Sequence, residues 1–97
     1  MTKLYDKTEI EKKLAAYPDW RLGDDGQLHA EFMFKNFSRA MLFANAVGLL
    51  AEHADHHPDL FIHDYRHVKI SLMTHSQNAI TDKDFALIAQ IDALPGK

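Results

Sequence analysis

Alternation of apolar and polar positions is clearest between Gln27 and Lys35, where Leu28, Ala30, Phe32 and Phe34 interleave with His29, Glu31, Met33 and Lys35. A period of two describes a strand with one buried and one wetter face, and it puts His29 on the wetter one. The pattern returns from His67 to Thr74, with Val68, Ile70 and Leu72 on one side and His67, Lys69, Ser71 and Met73 on the other. Ahead of the first strand, Trp20-Arg21-Leu22 is followed by Gly23-Asp24-Asp25-Gly26, turn chemistry that predicts a hairpin. Leu60-Phe61-Ile62 is a shorter apolar segment that fits a strand or a loop.

Elsewhere the period is that of a helix. Ile10, Leu14 and Tyr17 recur behind Thr8-Glu9-Ile10-Glu11, which reads as a capping box, and Pro18 follows; a helix is predicted from Thr8 to Tyr17. Asn36 or Ser38 can cap a long helix running to about His56. One stripe of it (Phe37, Ala40, Ala44, Val47, Ala51) suffices to cover a sheet, yet Leu42, Phe43, Leu49 and Leu50 lie on other faces. A helix apolar nearly all round is buried nearly all round. A homo-oligomer is therefore predicted, with the Asn36–His56 helix in its contact. Pro58 pushes the residue before it out of the helical region, so the helix is expected to break at His57 with His56 on its last turn.

Beyond the second clear strand, His75 ends the alternation and Ser76-Gln77-Asn78-Ala79 reads as a connecting loop. Thr81 then caps a third helix with Asp82 and Asp84 in its first turn. Its apolar stripes are Phe85, Ile88 and Ala89, and Leu87, Ile91 and Leu94. The order is helix, hairpin, helix, one or two strands, helix. This predicts an α+β fold whose antiparallel sheet carries helices on one face.

Composition narrows the function. The chain has 97 residues, 46% of them hydrophobic and 26% charged, which suits a single domain over residues 1–97. A net charge of -3 without a basic block argues against direct nucleic-acid binding. No apolar run reaches the roughly 18 residues of a membrane span. Met1 to Lys7 lacks a signal-length apolar core. The absence of cysteine excludes disulfides, thiolate metal sites and cysteine nucleophiles within these residues, and fits a reducing compartment. The expectation is a cytoplasmic protein.

Six of the seven histidines fall between His53 and His75, densest in Glu52-His53-Ala54-Asp55-His56-His57-Pro58. Imidazole exchanges protons near neutrality, since its unperturbed pKa is about 6.5. One use is metal binding: His53 with His56 or His57 has helical ligand spacing, and Asp55 and His75 could complete a shell. Against it stand the break at Pro58 and the absence of an HExxH pattern. A second use is acid-base catalysis by imidazoles converging from a helix end and a strand end. Nucleophilic catalysis is less attractive, because Ser71, Thr74 and Ser76 lack a nucleophile-elbow pattern. The bland alternative is histidines that cap carbonyls or face water.

Glu52-x-x-x-His56-His57-Pro58, then Tyr65, His75 and Asp84, resembles the signature of the pterin-4a-carbinolamine dehydratases. Trp20, Phe32-Met33-Phe34 and Phe37-Ser38-Arg39-Ala40 extend the resemblance. It implies a four-stranded antiparallel sheet with three helices on one face, in the order α-β-β-α-β-β-α. It also implies dimers or tetramers, formed through the long helix and sheet edges. The implied reaction dehydrates a 4a-hydroxytetrahydropterin to the quinonoid dihydropterin, recycling the cofactor of aromatic amino-acid hydroxylases, with no metal and no cofactor of its own. By the same resemblance His56 and His75 are the acid-base pair, and His57 binds substrate near its hydroxyl. Asp84 orients or tunes His75, Tyr65 packs beside the pterin, and Glu52 and Pro58 support the site. The loop Ser76-Gln77-Asn78-Ala79 departs from many members of the family, which carry a glycine pair there. Two other roles stay open: a dimerisation cofactor of a transcription factor, and a pterin binder linked to molybdopterin metabolism.

Overall fold

Four strands form one antiparallel sheet in the order β1-β2-β4-β3. In chain order the elements are α1 (Lys7–Leu14), β1 (Trp20–Leu22), β2 (Leu28–Met33), α2 (Phe37–Ala54), β3 (Asp59–His63), β4 (His67–Leu72) and α3 (Asp82–Asp92). They belong to a computed structural model that describes residues 3–97; Met1 and Thr2, part of the N-terminal segment considered above, lie outside it. The expected α-β-β-α-β-β-α order and the antiparallel sheet are both present.

Register follows from the alternation. Leu28 pairs with Leu72, Ala30 with Ile70 and Phe32 with Val68, so the apolar sides of β2 and β4 form one continuous face. That face and Ile10, Val47, Phe85, Leu87, Ile88 and Ile91 from the helices make a single core. The opposite face carries Glu31, Met33, His67, Lys69 and Ser71. Trp20 donates its indole N–H to Asp92 Oδ1 at 3.1 Å and ties β1 to the end of α3. Leu60-Phe61-Ile62 lies within β3, paired to β4 along its length.

Three expectations are corrected. The first helix starts at Lys7, because Asp6 rather than Thr8 caps it and exchanges the capping-box hydrogen bonds with Glu9. It ends at Leu14, where bonds from Ala15, Ala16 and Tyr17 to residues three back tighten the chain out of the α conformation. His29 is buried, not wet. Its Nε2–H donates to both Asp25 oxygens, at 2.9 and 3.0 Å, and its Nδ1 meets Ser71 Oγ at 2.9 Å. The hairpin turn folds over the ring, and only a glycine fits at position 23, where a Cβ would come within 2.6 Å of His29 Cδ2. The His29 hydrogen bond holds the Asp25 carboxyl below its ordinary range.

The third correction concerns the end of α2. Asn36 caps its start through Arg39 N–H, but the helix stops at Ala54, before Pro58 can act. Asp55 takes the left-handed conformation (φ 51°, ψ 45°), with Asp55 N–H bonded to Glu52 O and His56 N–H to Ala51 O. This is the Schellman closure. Along α2 the side chains of Phe37, Met41, Leu42 and Leu49 remain exposed, Leu49 at 65%. Among the described residues no helix is long and apolar enough to cross a membrane.

Candidate active site

The left-handed residue at Asp55 reverses the chain, and His56 turns inward to 8% exposure while His57 stays outside. His56 Nε2 lies 2.6 Å from Oδ1 of Asp84, which is fully buried in the first turn of α3. An ionised carboxylate only accepts, so the imidazole donates this bond. Asp84 Oδ2 accepts from Thr74 Oγ1 at 2.8 Å and from Thr81 N–H at 2.9 Å. Because the single Thr74 hydroxyl hydrogen goes to Asp84, the 2.7 Å contact between the threonine hydroxyls is donated by Thr81, whose oxygen accepts from Lys83 N–H. Every bond in the chain points toward the carboxylate. A buried charge satisfied in this way avoids most of the penalty of leaving water.

Asp84 thus has two duties. As N3 residue it completes the capping box of Thr81, and as a buried anion it holds His56. The expectation that it orients His75 is corrected: the bond runs to His56. The reason is topological. The His75 backbone leaves the sheet in a single 3₁₀ turn, His75–Gln77, closed at its base by the bridge between Thr74 and Ala79. His75 is exposed on that turn, joined to the Asp84 network through the adjacent Thr74. Asn78 takes the left-handed conformation (φ 50°) that ends the turn, a position asparagine tolerates better than most residues.

His57 Nε2 donates to Glu52 Oε1 at 2.8 Å, one turn back on α2, with both side chains largely exposed. Pro58 is half-buried and leads directly into β3. Tyr65 is not brought to these histidines within one chain. It stands in the turn between β3 and β4, exposed and left-handed (φ 71°). The extended stretch from His67 to Thr74, β4 and the two residues after it, separates the two places by roughly 20 Å. The metal geometry considered for His53 with His56 or His57 requires the helix to continue to the second histidine, and α2 ends before His56. A hollow of about 150 Å³ lined by Phe34, Leu42, Phe43 and Leu94 runs along α2 and not beside these histidines.

Thr74 was weighed in the sequence only as the last residue of a strand and as a nucleophile without an elbow pattern, not as a partner of Asp84. Thr81 was legible as a helix cap, without its bond to Thr74.

An α+β fold that buries a histidine–aspartate pair between the end of a long helix and the first turn of another makes this a candidate acid-base protein. Comparison with known proteins gives the family. The pattern of the family described as pterin 4 alpha carbinolamine dehydratase matches residues 3–94. Two relatives carry the name "Putative pterin-4-alpha-carbinolamine dehydratase". The one from Chloroflexus aggregans is 43% identical over 90 residues, 93% of this chain and 95% of its own. The one from a Picosynechococcus species is 42% identical over 93 residues, 96% and 98% of the two chains. A crystal structure of a transcriptional coactivator/pterin dehydratase from Brucella melitensis superposes with a TM-score of 0.87 at 33% identity, covering 94% of this chain and 97% of that one. A pterin dehydratase-like protein described as a RuBisCO assembly factor of the alpha-carboxysome reaches 0.66 at 26% identity, covering 81% and 92%. The chain belongs to the pterin carbinolamine dehydratase family.

Proposed function

We propose that this chain dehydrates a 4a-hydroxytetrahydropterin to the quinonoid dihydropterin by acid-base catalysis with His56, His57 and His75. The observation that carries the reading is the buried His56–Asp84 pair at 2.6 Å, bonded in turn to Thr74, the residue preceding His75. The reaction breaks the C4a–O bond, and the oxygen leaves as water with a proton from a general acid. A ring N–H gives its proton to a general base, and its electron pair forms the new C=N bond. One proton enters and one leaves, so the chemistry is redox-neutral.

Asp84 fixes His56 with Nε2–H toward the carboxylate and stabilises positive charge on the ring as it gains a proton. Nδ1 is the nitrogen Asp84 does not hold, and it is the one to exchange protons with substrate. His75 is the partner of opposite role, and exposed His57, oriented by Glu52, binds near the substrate hydroxyl. Each proton transfer of this kind contributes about 10²–10⁴-fold. The product returns to tetrahydropterin for aromatic amino-acid hydroxylases in the cytoplasm. Copies of the chain associate through the exposed Phe37, Met41, Leu42 and Leu49 of α2, which sedimentation at micromolar concentration tests.

The direct test measures dehydration of synthetic carbinolamine by the native chain, His56→Ala and His75→Ala. Acceleration by the native chain that both variants lose is expected; a native rate equal to the spontaneous one sinks the proposal. The same apolar stretch of α2 favours a second reading, a non-catalytic interaction module. Inactive protein that recovers a specific protein partner from extract would support that instead.

A further inference from the structure

Across the sheet from the core, three strands bring Glu31 (β2), His63 (β3) and His67 (β4) together, with one ligand atom of each within 4.8 Å of the others. The register dictates the meeting. His63 and His67 are direct partners at the end of the β3–β4 hairpin, and Met33 faces His67 while Glu31 faces Lys69, which leaves Glu31 one diagonal step from His67. Asp64 and Tyr65, both left-handed, form the tight turn that holds the two histidines opposite each other. Phe61 stacks on His63 and His63 on His67, each at 5.2 Å between ring centres, so the imidazoles have little freedom to swing away.

Three details separate this cluster from ordinary surface ion pairs. Glu31 divides its carboxylate, Oε1 lying 3.0 Å from His63 Nε2 and Oε2 3.4 Å from His67 Nδ1. The second contact has ion-pair distance but is no hydrogen bond: His67 Nδ1 is shut off from solvent and has no hydrogen-bond partner. On its far side His63 gives its Nδ1–H to Asp64 Oδ2 at 3.0 Å. A carboxylate on the outer nitrogen of an imidazole is how metal-ligating histidines are usually oriented, with the inner nitrogen's lone pair facing the ion. With a carboxylate at each nitrogen, His63 either carries two N–H groups that donate to Glu31 and Asp64 or turns its Nε2 lone pair to a cation held beside Glu31.

We infer that Glu31, His63 and His67 form a binding site for a divalent transition metal of the zinc class. Two imidazoles and one carboxylate suit zinc, cobalt, nickel or copper better than the oxygen-seeking magnesium and calcium. Metal–ligand bonds of about 2.0–2.2 Å put tetrahedral neighbours about 3.4 Å apart. The Glu31 contacts, 3.0 Å and 3.4 Å through its two oxygens, lie near that spacing, and small side-chain adjustments bring all three ligands to it. Three protein ligands leave a fourth position to water. The site clamps β2, β4 and β3 to one another and lies at the opposite end of β4 from Thr74 and His75, independent of the dehydratase reading.

The test uses the untagged full chain, stripped with chelator and titrated with zinc alone at slightly alkaline pH, read by calorimetry and thermal unfolding. Binding of one zinc per chain with a raised Tm is expected, and cobalt in its place is expected to give visible d–d absorption. His67→Ala and Glu31→Gln should weaken binding by about a hundredfold and Asp64→Asn by about tenfold, while His53→Ala, on α2, leaves it unchanged. Should a variant fail to fold, histidine NMR of the unaltered chain decides: zinc must shift His63 and His67 and leave His53 unmoved. No binding at millimolar zinc, or binding undiminished in folded His67→Ala and Glu31→Gln, overturns the site and leaves a doubly protonated His63 as the cation between the carboxylates.

Discussion

His56 and His57 are consecutive, and each holds a carboxylate at nearly the same distance, 2.6 Å to Asp84 and 2.8 Å to Glu52. Their surroundings differ. The His56 and Asp84 side chains are 9% and 0% exposed, whereas those of His57 and Glu52 are 60% and 79% exposed. Water screens the outer pair, and such pairs contribute about 0–1 kcal/mol. The inner pair has given up its hydration, so either partner alone is an uncompensated buried group. The same pairing of residue types therefore makes a buried imidazole in one place and a solvated one a residue away.

Removing Asp84 should have the largest effect. Asp84→Ala strands His56, Thr74 and the Thr81 amide together and is expected to cost about 3–5 kcal/mol in urea unfolding. Glu52→Ala should stay within about 0.5 kcal/mol. Equal losses in the two variants would break the distinction. The histidines come next. His56→Ala should lose about 2–3 kcal/mol by leaving Asp84 short of its donor, and His57→Ala close to nothing. Both should slow carbinolamine dehydration, so His57→Ala separates activity from stability and His56→Ala does not.

A smaller effect tests the hinge that sends the two rings apart. Asp55 is left-handed at a helix C-terminus, where its shape and its charge are both unfavourable. Asp55→Gly should raise stability by about 0.5–1 kcal/mol without moving His56, visible as a higher Tm. A lower Tm would mean that the Asp55 side chain itself holds the turn.

The subtlest test compares Asp82 with Asp84, two acids in one helical turn. Exposed Asp82 accepts from the Tyr5 hydroxyl, which pushes the Tyr5 pKa up to about 12 and holds Asp82 below its usual range. For Tyr5 the folded value lies above the unfolded one, so its contribution is complete below about pH 10 and is lost as pH rises through about 12. For Asp82 the contribution is present above the ordinary carboxyl pKa and disappears as pH falls through the lowered one. Ultraviolet titration of the phenol should show the delayed ionisation, and Asp82→Asn should return it toward its ordinary value.

Much of the site was readable as a motif. Glu52, His56, His57, His75 and Asp84 were singled out by their resemblance to the family signature. What spacing could not supply was partnership: Asp84 was assigned to His75 and belongs to His56, because a cap residue's side-chain direction depends on where its helix docks. The break in α2 was ascribed to Pro58, although the left-handed Asp55 had already ended the helix. His29 was placed in water by a correct alternation, and a turn four residues away buried it. Tyr65 shared the motif in sequence and stands at the other end of β4 in space.

The sequence by itself determined the three helices, the two clear strands and their core-facing sides, the cap at Thr81, and the family. Each of these follows from local periodicity, local hydrogen bonding or a spaced set of residues. Only the tertiary structure decided which carboxylate each histidine meets, that Thr74 joins the Asp84 network, and that Glu31, His63 and His67 share a point on the open face of the sheet. Those facts depend on strand register and helix docking, which arise when the whole core closes and are encoded in no single stretch of the chain.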